Sequence, residues 1–173
     1  MIKKKIIIYG LSMTGKTSFI KTVLSKNKFK GNINPTILID IKKASEKNIN
    51  LIIWDCGGQE QFLKVYHKSV VSEELVYGAR VLCYFFDAAD DKRLEKAIDE
   101  FKWIKNLFEI RNPEGKIYCF INKADLVNYS EEKFSELRRK ITSKVGNKNI
   151  QYYFTSIYKP AELIKIFKKI ICS

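Results

Sequence analysis

Several scarcities narrow this sequence before any motif is considered. Its four cysteines (Cys56, Cys83, Cys119, Cys172) have no metal-ligand spacing, so neither a zinc site nor a disulfide framework is read from them. Cys83 and Cys119 fall inside apolar strand candidates and read as small buried hydrophobes, which suits a reducing cytosol. The single histidine, His67, lies in a helical stretch and is read as surface or packing, with no catalytic role. No apolar run approaches the length of a membrane span, and the one behind Lys3-Lys4-Lys5 is too short for a secretion signal. Residue 2 is isoleucine where N-myristoylation requires glycine, and Cys172 is penultimate, the wrong place for a prenylated C-terminal box. No repeat, low-complexity segment or linker interrupts the chain. A cytoplasmic protein is expected.

Acidic residues are also in short supply. Nineteen Asp and Glu face 32 Lys and Arg, a formal charge of +13. The excess is almost all lysine and is spread from Lys3 to Lys169. A basic face binds nucleic acid through its phosphates, but no recognition motif accompanies the charge, so a nucleic-acid partner is not expected. A solvated lysine-rich surface is the plainer reading, and it leaves room for peripheral contact with an anionic membrane.

What is present has the order of an α/β protein. The length of 173 residues gives one domain, residues 1–173, large enough for a core without staples. Strand patterns occur at Lys5–Tyr9, Ile37–Ile41, Ile49–Trp54, Val81–Phe86, Ile117–Ile121 and Gln151–Thr155. Helical patterns separate most of them, which predicts a mainly parallel sheet. Only a polar turn, Ala44 to Asn48, divides the second and third strands, so these form an antiparallel hairpin. Gln61 to Ser72 is weakly helical. Asp90 or Asp91 caps a helix carrying Leu94, Ile98, Phe101, Ile104 and Phe108. Ser130 caps the next, which ends at Gly146-Asn147, and Pro160 opens the last.

Gly10 to Thr17 reads GLSMTGKT, a full G-x-x-x-x-G-K-[ST] match between a strand and a helix, the setting a phosphate-binding loop needs. Backbone N–H groups of such a loop turn inward and the following helix adds its positive end. Gly10, Ser12, Met13, Thr14, Gly15, Lys16, Thr17 and Ser18 are the phosphate-side candidates. Lys16 reaches the outer phosphates and the Thr17 hydroxyl ligates Mg²⁺.

Downstream, the strand Leu51–Trp54 ends in Asp55, followed by Cys56-Gly57-Gly58-Gln59-Glu60. Ligands of open α/β sheets lie at the carboxyl ends of strands, so Asp55 faces the phosphate loop and holds Mg²⁺ through a water. Gly58 permits close approach to a terminal phosphate and Gln59 can orient a water. Asn122-Lys123-Ala124-Asp125 closes the fifth strand. A carboxylate there accepts both N1–H and N2–H of guanine, a donor pair that adenine lacks. A buried acid left unpaired costs about 1–3 kcal/mol, so Asp125 selects guanine. The Lys123 stem lies over the base, Asn122 ties loops together, and Thr155-Ser156-Ile157 brings a backbone N–H to the guanine oxygen.

With these motifs in this order the chain resembles a small GTPase of the Ras superfamily over essentially its whole length. Within it, WDCGGQE (Trp54–Glu60), FTSIY (Phe154–Tyr158), the lysine-led first strand and the long connection Glu60–Arg80 resemble the Rag GTPases. Asn34-Pro35-Thr36-Ile37 with the Trp-Asp-x-Gly-Gly-Gln run is similar to the Arf family. The resemblance implies a P-loop NTPase three-layer sandwich: a six-stranded, mostly parallel sheet with one antiparallel strand and helices on both faces. It also implies GTP/GDP and Mg²⁺ as ligands, with Thr17, Thr36 and Asp55 around the metal and Gln59, Lys16 and Thr36 serving catalysis. Gly58 N–H meets the γ-phosphate. Rag proteins pair through a further C-terminal domain, and this sequence stops after its sixth strand–helix unit. A monomer, or a dimer through the GTPase domain, is therefore expected.

The implied activity is water attack on the γ-phosphate. No arginine lies in the Thr36 segment or beside Gln59, and such an arginine is worth about 10³–10⁵ in rate, so intrinsic hydrolysis should be slow. Loops at Asn32–Ile39 and Gly57–Ser72 should order with GTP and relax with GDP, presenting the face for effectors, exchange factors and GTPase-activating proteins. Two rival readings remain: a guanine-nucleotide-locked interaction module that never hydrolyses, against which Gln59 argues, and a nucleic-acid-associated GTPase favoured only by the charge.

Overall fold

A computed structural model describes residues 2–25, 36, 38–46, 48–146 and 149–173 of the chain. Six strands form one sheet in the order β2-β3-β1-β4-β5-β6: β1 Ile2–Tyr9, β2 Ile39–Glu46, β3 Ile49–Cys56, β4 Ala79–Asp87, β5 Lys116–Asn122 and β6 Ile150–Phe154. β2 and β3 are antiparallel and the other pairings are parallel. Around the sheet lie α1 Lys16–Ser25, α2 Glu60–Tyr66, α3 Ser69–Val76, α4 Leu94–Arg111, α5 Glu131–Val145 and α6 Pro160–Cys172.

The sheet is buried on both faces where its central strands carry continuous apolar runs, Ile6–Tyr9, Val81–Phe86 and Ile117–Ile121, instead of alternating ones. Period-two geometry then divides each strand between two cores. Ile6, Ile8, Cys83, Phe85 and Phe120 pack beneath α1 and α6. There the Phe85 and Phe120 rings stack 4.5 Å apart with Phe19 against both. Ile7, Tyr9, Leu82, Tyr84 and Phe86 pack on the other face against α3, α4 and α5. Each such side chain contributes about 1.5–3 kcal/mol on burial.

The N-terminal lysines have a structural use. β1 begins three residues earlier than the expected Lys5, with Ile2 paired to Ile49. The Lys4 ammonium donates to the carbonyls of Ile171 (2.8 Å) and Ile170 (3.3 Å) in the last turn of α6. Lys5 donates to Glu74 and Tyr77 at the end of α3 (3.0 and 3.1 Å). Two helix C-termini thus receive a cation where their dipoles favour one.

The second and third strands form the expected hairpin, but its boundary differs. β2 runs to Glu46, so Ala44–Glu46 are ladder residues, not turn. As an edge strand with a solvated face, β2 accepts polar side chains at no burial cost, which is why composition there mimics a turn. Ile37, Lys47 and the stretch Asn32–Pro35 lie outside the described residues, as does Asn147. The single weak helix expected over Gln61–Ser72 is two, α2 and α3, broken at His67-Lys68. The His67 ring stacks on Trp103 with centroids 4.1 Å apart, and Nε2 sits 3.1 Å from Glu100 Oε2. That pairing suits the packing role read for it. Asp90 caps a 3-10 turn, Asp91–Arg93, that leads into α4, and Ser130 Oγ caps α5 by accepting from Lys133 N–H at 3.2 Å.

Candidate functional site

The carboxyl ends of β1, β3, β4 and β5 open onto one edge of the sheet, and the sequence motifs converge there. The loop after β1 is bent tightly by Gly15, whose φ is +94° and where a Cβ would sit 2.2 Å from Asn122 Nδ2. Lys16 is 5% exposed. Its ammonium folds onto the loop, donating to the carbonyls of Gly10 (2.8 Å) and Leu11 (2.6 Å). Burial pushes the Lys16 ammonium down to about 8, partly offset by the nearby Asp55. Thr14 Oγ1 donates to Leu11 O at 3.0 Å, Ser18 is buried, and Met13 (φ +64°) is 78% exposed at the rim.

Asp55, at the end of β3, is fully buried. Its Oδ2 accepts from Thr17 Oγ1 (2.7 Å) and Thr36 Oγ1 (3.4 Å), and the two hydroxyls are 3.0 Å apart. Its Oδ1 has no hydrogen-bond partner. Burial raises the Asp55 carboxyl above its usual range in spite of the Thr17 hydroxyl and the Lys16 charge. An orphaned carboxylate oxygen beside two hydroxyls is a hard-oxygen donor set that fits Mg²⁺. Among the described residues no group of three or more His, Cys, Asp or Glu side chains is placed to hold a metal ion. A one-carboxylate site of this sort shares its ion with substrate phosphates.

Gly58 lies against the phosphate loop. Its carbonyl accepts Ser12 N–H at 2.9 Å, and a Cβ there would be 2.2–2.4 Å from Leu11 C, Ser12 N and Gly10 O. Gly57 N–H donates to Leu38 O at 2.6 Å, and the Tyr66 hydroxyl donates to the same carbonyl. Gln59 precedes α2 with extended backbone and accepts from Gln61 Nε2 at 3.2 Å.

On the far side, Asn122 at the end of β5 joins two loops. Its Nδ2 donates to Thr14 O (2.9 Å) and its Oδ1 accepts from Thr155 Oγ1 (3.1 Å). Lys123 takes a left-handed φ of +63° and its ammonium pairs with Asp87 Oδ2 at 2.7 Å. Ala124 N–H donates to Thr155 O at 2.9 Å. Asp125 Oδ1 accepts from Ser156 Oγ, which also takes Tyr158 N–H at 3.2 Å. Ile157 is half-buried beside them. The residues nominated for nucleotide and metal therefore lie on this edge of the sheet.

Three contributors escaped sequence reading. Asp87 ends β4 just as Asp55 ends β3, and the strand-end rule would have found it. Tyr66 and Arg93 had no such signal, because each acts on a segment distant in sequence: Tyr66 on Leu38, Arg93 on Ser12.

Comparison with known proteins agrees with this geometry. A family model described as the Gtr1/RagA G protein conserved region matches residues 5–173. The Ras-related GTP-binding protein A of Dictyostelium discoideum is 30% identical over 129 residues, 73% of this chain and 42% of that protein. The GTP-binding protein gtr1 of Schizosaccharomyces pombe is likewise 30% identical over 129 residues, 73% of this chain and 41% of that one. The chain thus spans about two fifths of these relatives' length. Among solved structures, the Arl6 (BBS3) small GTPase of Trypanosoma brucei, with bound nucleotide analogue GppNp, superposes with a TM-score of 0.74. It covers 97% of this chain and 95% of its own at 18% identity, a likeness of fold. The chain belongs to the Gtr1/RagA family of GTP-binding small G proteins.

Proposed function

We propose that residues 1–173 form one G domain that binds GTP and GDP with Mg²⁺, hydrolyses GTP slowly, and changes the conformation of two loops between the two nucleotide states. The observation that carries this reading is the junction of Thr17, Thr36 and Asp55. It joins the phosphate loop, the segment before β2 and the end of β3 at one point, so whatever occupies that point is felt by both switch segments.

Thr17, Thr36 and Asp55 would hold Mg²⁺, which would supply positive charge against the phosphates. The chain's own groups do the rest. Lys16 exchanges the Gly10 and Leu11 carbonyls for phosphate oxygens, whose negative charge offsets the burial of its own. Gly58 N–H approaches the γ-phosphate, and Gln59 orients the attacking water. Asp125, aligned by Ser156, takes the two guanine donors, Lys123 covers the base, and the Thr155–Ile157 backbone approaches the guanine oxygen. Thr36 and Gly58 hold their loops while the γ-phosphate is present and release them after hydrolysis.

Effectors, exchange factors and GTPase-activating proteins would engage residues 32–39 and 57–72, of which 32–35 and 37 lie outside the described residues. Work in the cytoplasm, with lysines meeting anionic membrane surfaces, completes the proposal. No helix among the described residues is long and apolar enough to cross a membrane.

Identifying the nucleotide that co-purifies, by mass and chromatography, tests the class. GDP or GTP is expected, and adenine nucleotide would refute the role of Asp125. Single-turnover hydrolysis tests the chemistry: slow turnover that falls further in Gln59→Leu is expected, and fast turnover by the pure protein contradicts it.

A further inference from the structure

Arg93 stands outside the motifs yet reaches into the phosphate loop from 81 residues away. It ends the 3-10 turn ahead of α4, and its Nη1 donates to Ser12 O at 3.1 Å and to Ser12 Oγ at 3.3 Å. The other side of the fork is held: Arg93 Nε pairs with Asp90, whose second oxygen accepts Arg93 N–H at 3.1 Å. Burial alone would raise the Asp90 carboxyl, but its bonds to Arg93 prevail and hold it below the usual range. The guanidinium is therefore pre-oriented before it touches the loop.

The contact has a consequence for the amide next along. A trans peptide places its C=O and N–H on opposite sides. An arginine that fixes the Ser12 carbonyl therefore turns the Met13 N–H to the face away from Arg93. Charge on the carbonyl side also polarises that peptide and strengthens its N–H as a donor. Met13 is the loop residue with φ of +64°, a conformation a non-glycine side chain resists and that a neighbouring clamp can maintain. Ser12 is held at its own N–H by Gly58 O, so the residue is gripped on both sides, by the switch segment and by Arg93.

We infer that Arg93, oriented by Asp90, is a positioning residue of the nucleotide site. It clamps the Ser12–Met13 peptide so that the Met13 amide stays turned toward bound phosphate. The inference rests on the reading of residues 10–17 as a nucleotide-phosphate loop. Because the clamp acts on the loop, it favours GDP and GTP alike and leaves the reacting γ-phosphate to other groups. The guanidinium fork matters to it: lysine reaches one acceptor as a point charge but cannot hold Asp90 and Ser12 together.

Release of fluorescent GDP and of a non-hydrolysable GTP analogue, with single-turnover GTP hydrolysis on preloaded protein, tests this. In Arg93→Ala both nucleotides should leave about tenfold faster, the loss of one charge-assisted hydrogen bond. Hydrolysis of GTP already bound should stay within about twofold. Arg93→Lys should recover part of the difference, and it serves as the deciding variant if the alanine form fails to fold. Asp90→Asn, which keeps the cap, should fall between alanine and wild type. Unchanged release in both Arg93 variants overturns the clamp. So does unchanged release with hydrolysis reduced tenfold, which would place Arg93 on the reacting phosphate. A wild-type protein that carries no guanine nucleotide removes the underlying reading instead, a separate result.

Discussion

Replacing Gly58 with alanine is the sharpest probe of how this site is built. The added Cβ would lie 2.2 Å from Leu11 C, 2.3 Å from Ser12 N and 2.4 Å from Gly10 O. All three are backbone atoms of the phosphate loop, so no side chain can swing aside. Ordinary contact starts near 3.4 Å, so a gap of about 1.2 Å must open between the two segments. That carries the Ser12 N–H···O Gly58 bond from 2.9 Å to roughly 4 Å, beyond hydrogen-bonding range. Overpacking of this kind costs about 1–3 kcal/mol and the lost bond about 1 more, together about 2–4 kcal/mol. For a chain of this size the unfolding midpoint should fall by about 4–16 °C. Function should suffer further, because Gly58 N–H moves away from the place proposed for the γ-phosphate. Calorimetry with amide exchange at Ser12 reads the first effect, and single-turnover hydrolysis, expected to drop at least tenfold with GTP still bound, reads the second. A Gly58→Ala protein with wild-type midpoint, Ser12 protection and turnover would refute the reasoning.

Three further outcomes follow from the same geometry. Asp125→Asn, which turns one acceptor into a donor, should weaken GTP binding about 100-fold or more and shift preference toward xanthine nucleotides, measured by competition. Asn122→Ala removes bonds to Thr14 O and Thr155 Oγ1 and strands buried partners, so denaturant unfolding should show a loss of about 2–4 kcal/mol. Asp90→Asn should destabilise the protein near neutrality while keeping the helix cap. Because the folded-state carboxyl of Asp90 lies below its usual range, its contribution is present above the unfolded value and is lost as pH falls through the folded one. The gap between variant and wild type should therefore close in acid, and a gap independent of pH would contradict the ion pair.

Much of this architecture was legible from periodicity. Continuous apolar runs such as Val81–Phe86 announce strands buried on both faces, and Leu94, Ile98, Phe101, Ile104 and Phe108 announce a helix with one face in the core. The errors came where burial is one-sided or geometry is marginal. Ala44–Glu46 look like a turn because an edge strand tolerates polar residues. The break between α2 and α3 at His67-Lys68 carries no proline or glycine to mark it.

The sequence by itself determined the order of the elements and the motifs after β1, at the end of β3 and after β5, because a G-x-x-x-x-G-K-T loop, a strand-ending aspartate and an Asn-Lys-Ala-Asp run are local patterns of adjacent residues. Only the tertiary structure decided which distant groups meet: Arg93 on Ser12, Tyr66 on Leu38, Lys123 on Asp87, and Lys4 and Lys5 on the ends of α6 and α3. Such contacts have no characteristic spacing. They arise when the sheet order places β1 between β3 and β4 and brings the ends of those strands together, so nothing short of the folded chain specifies them.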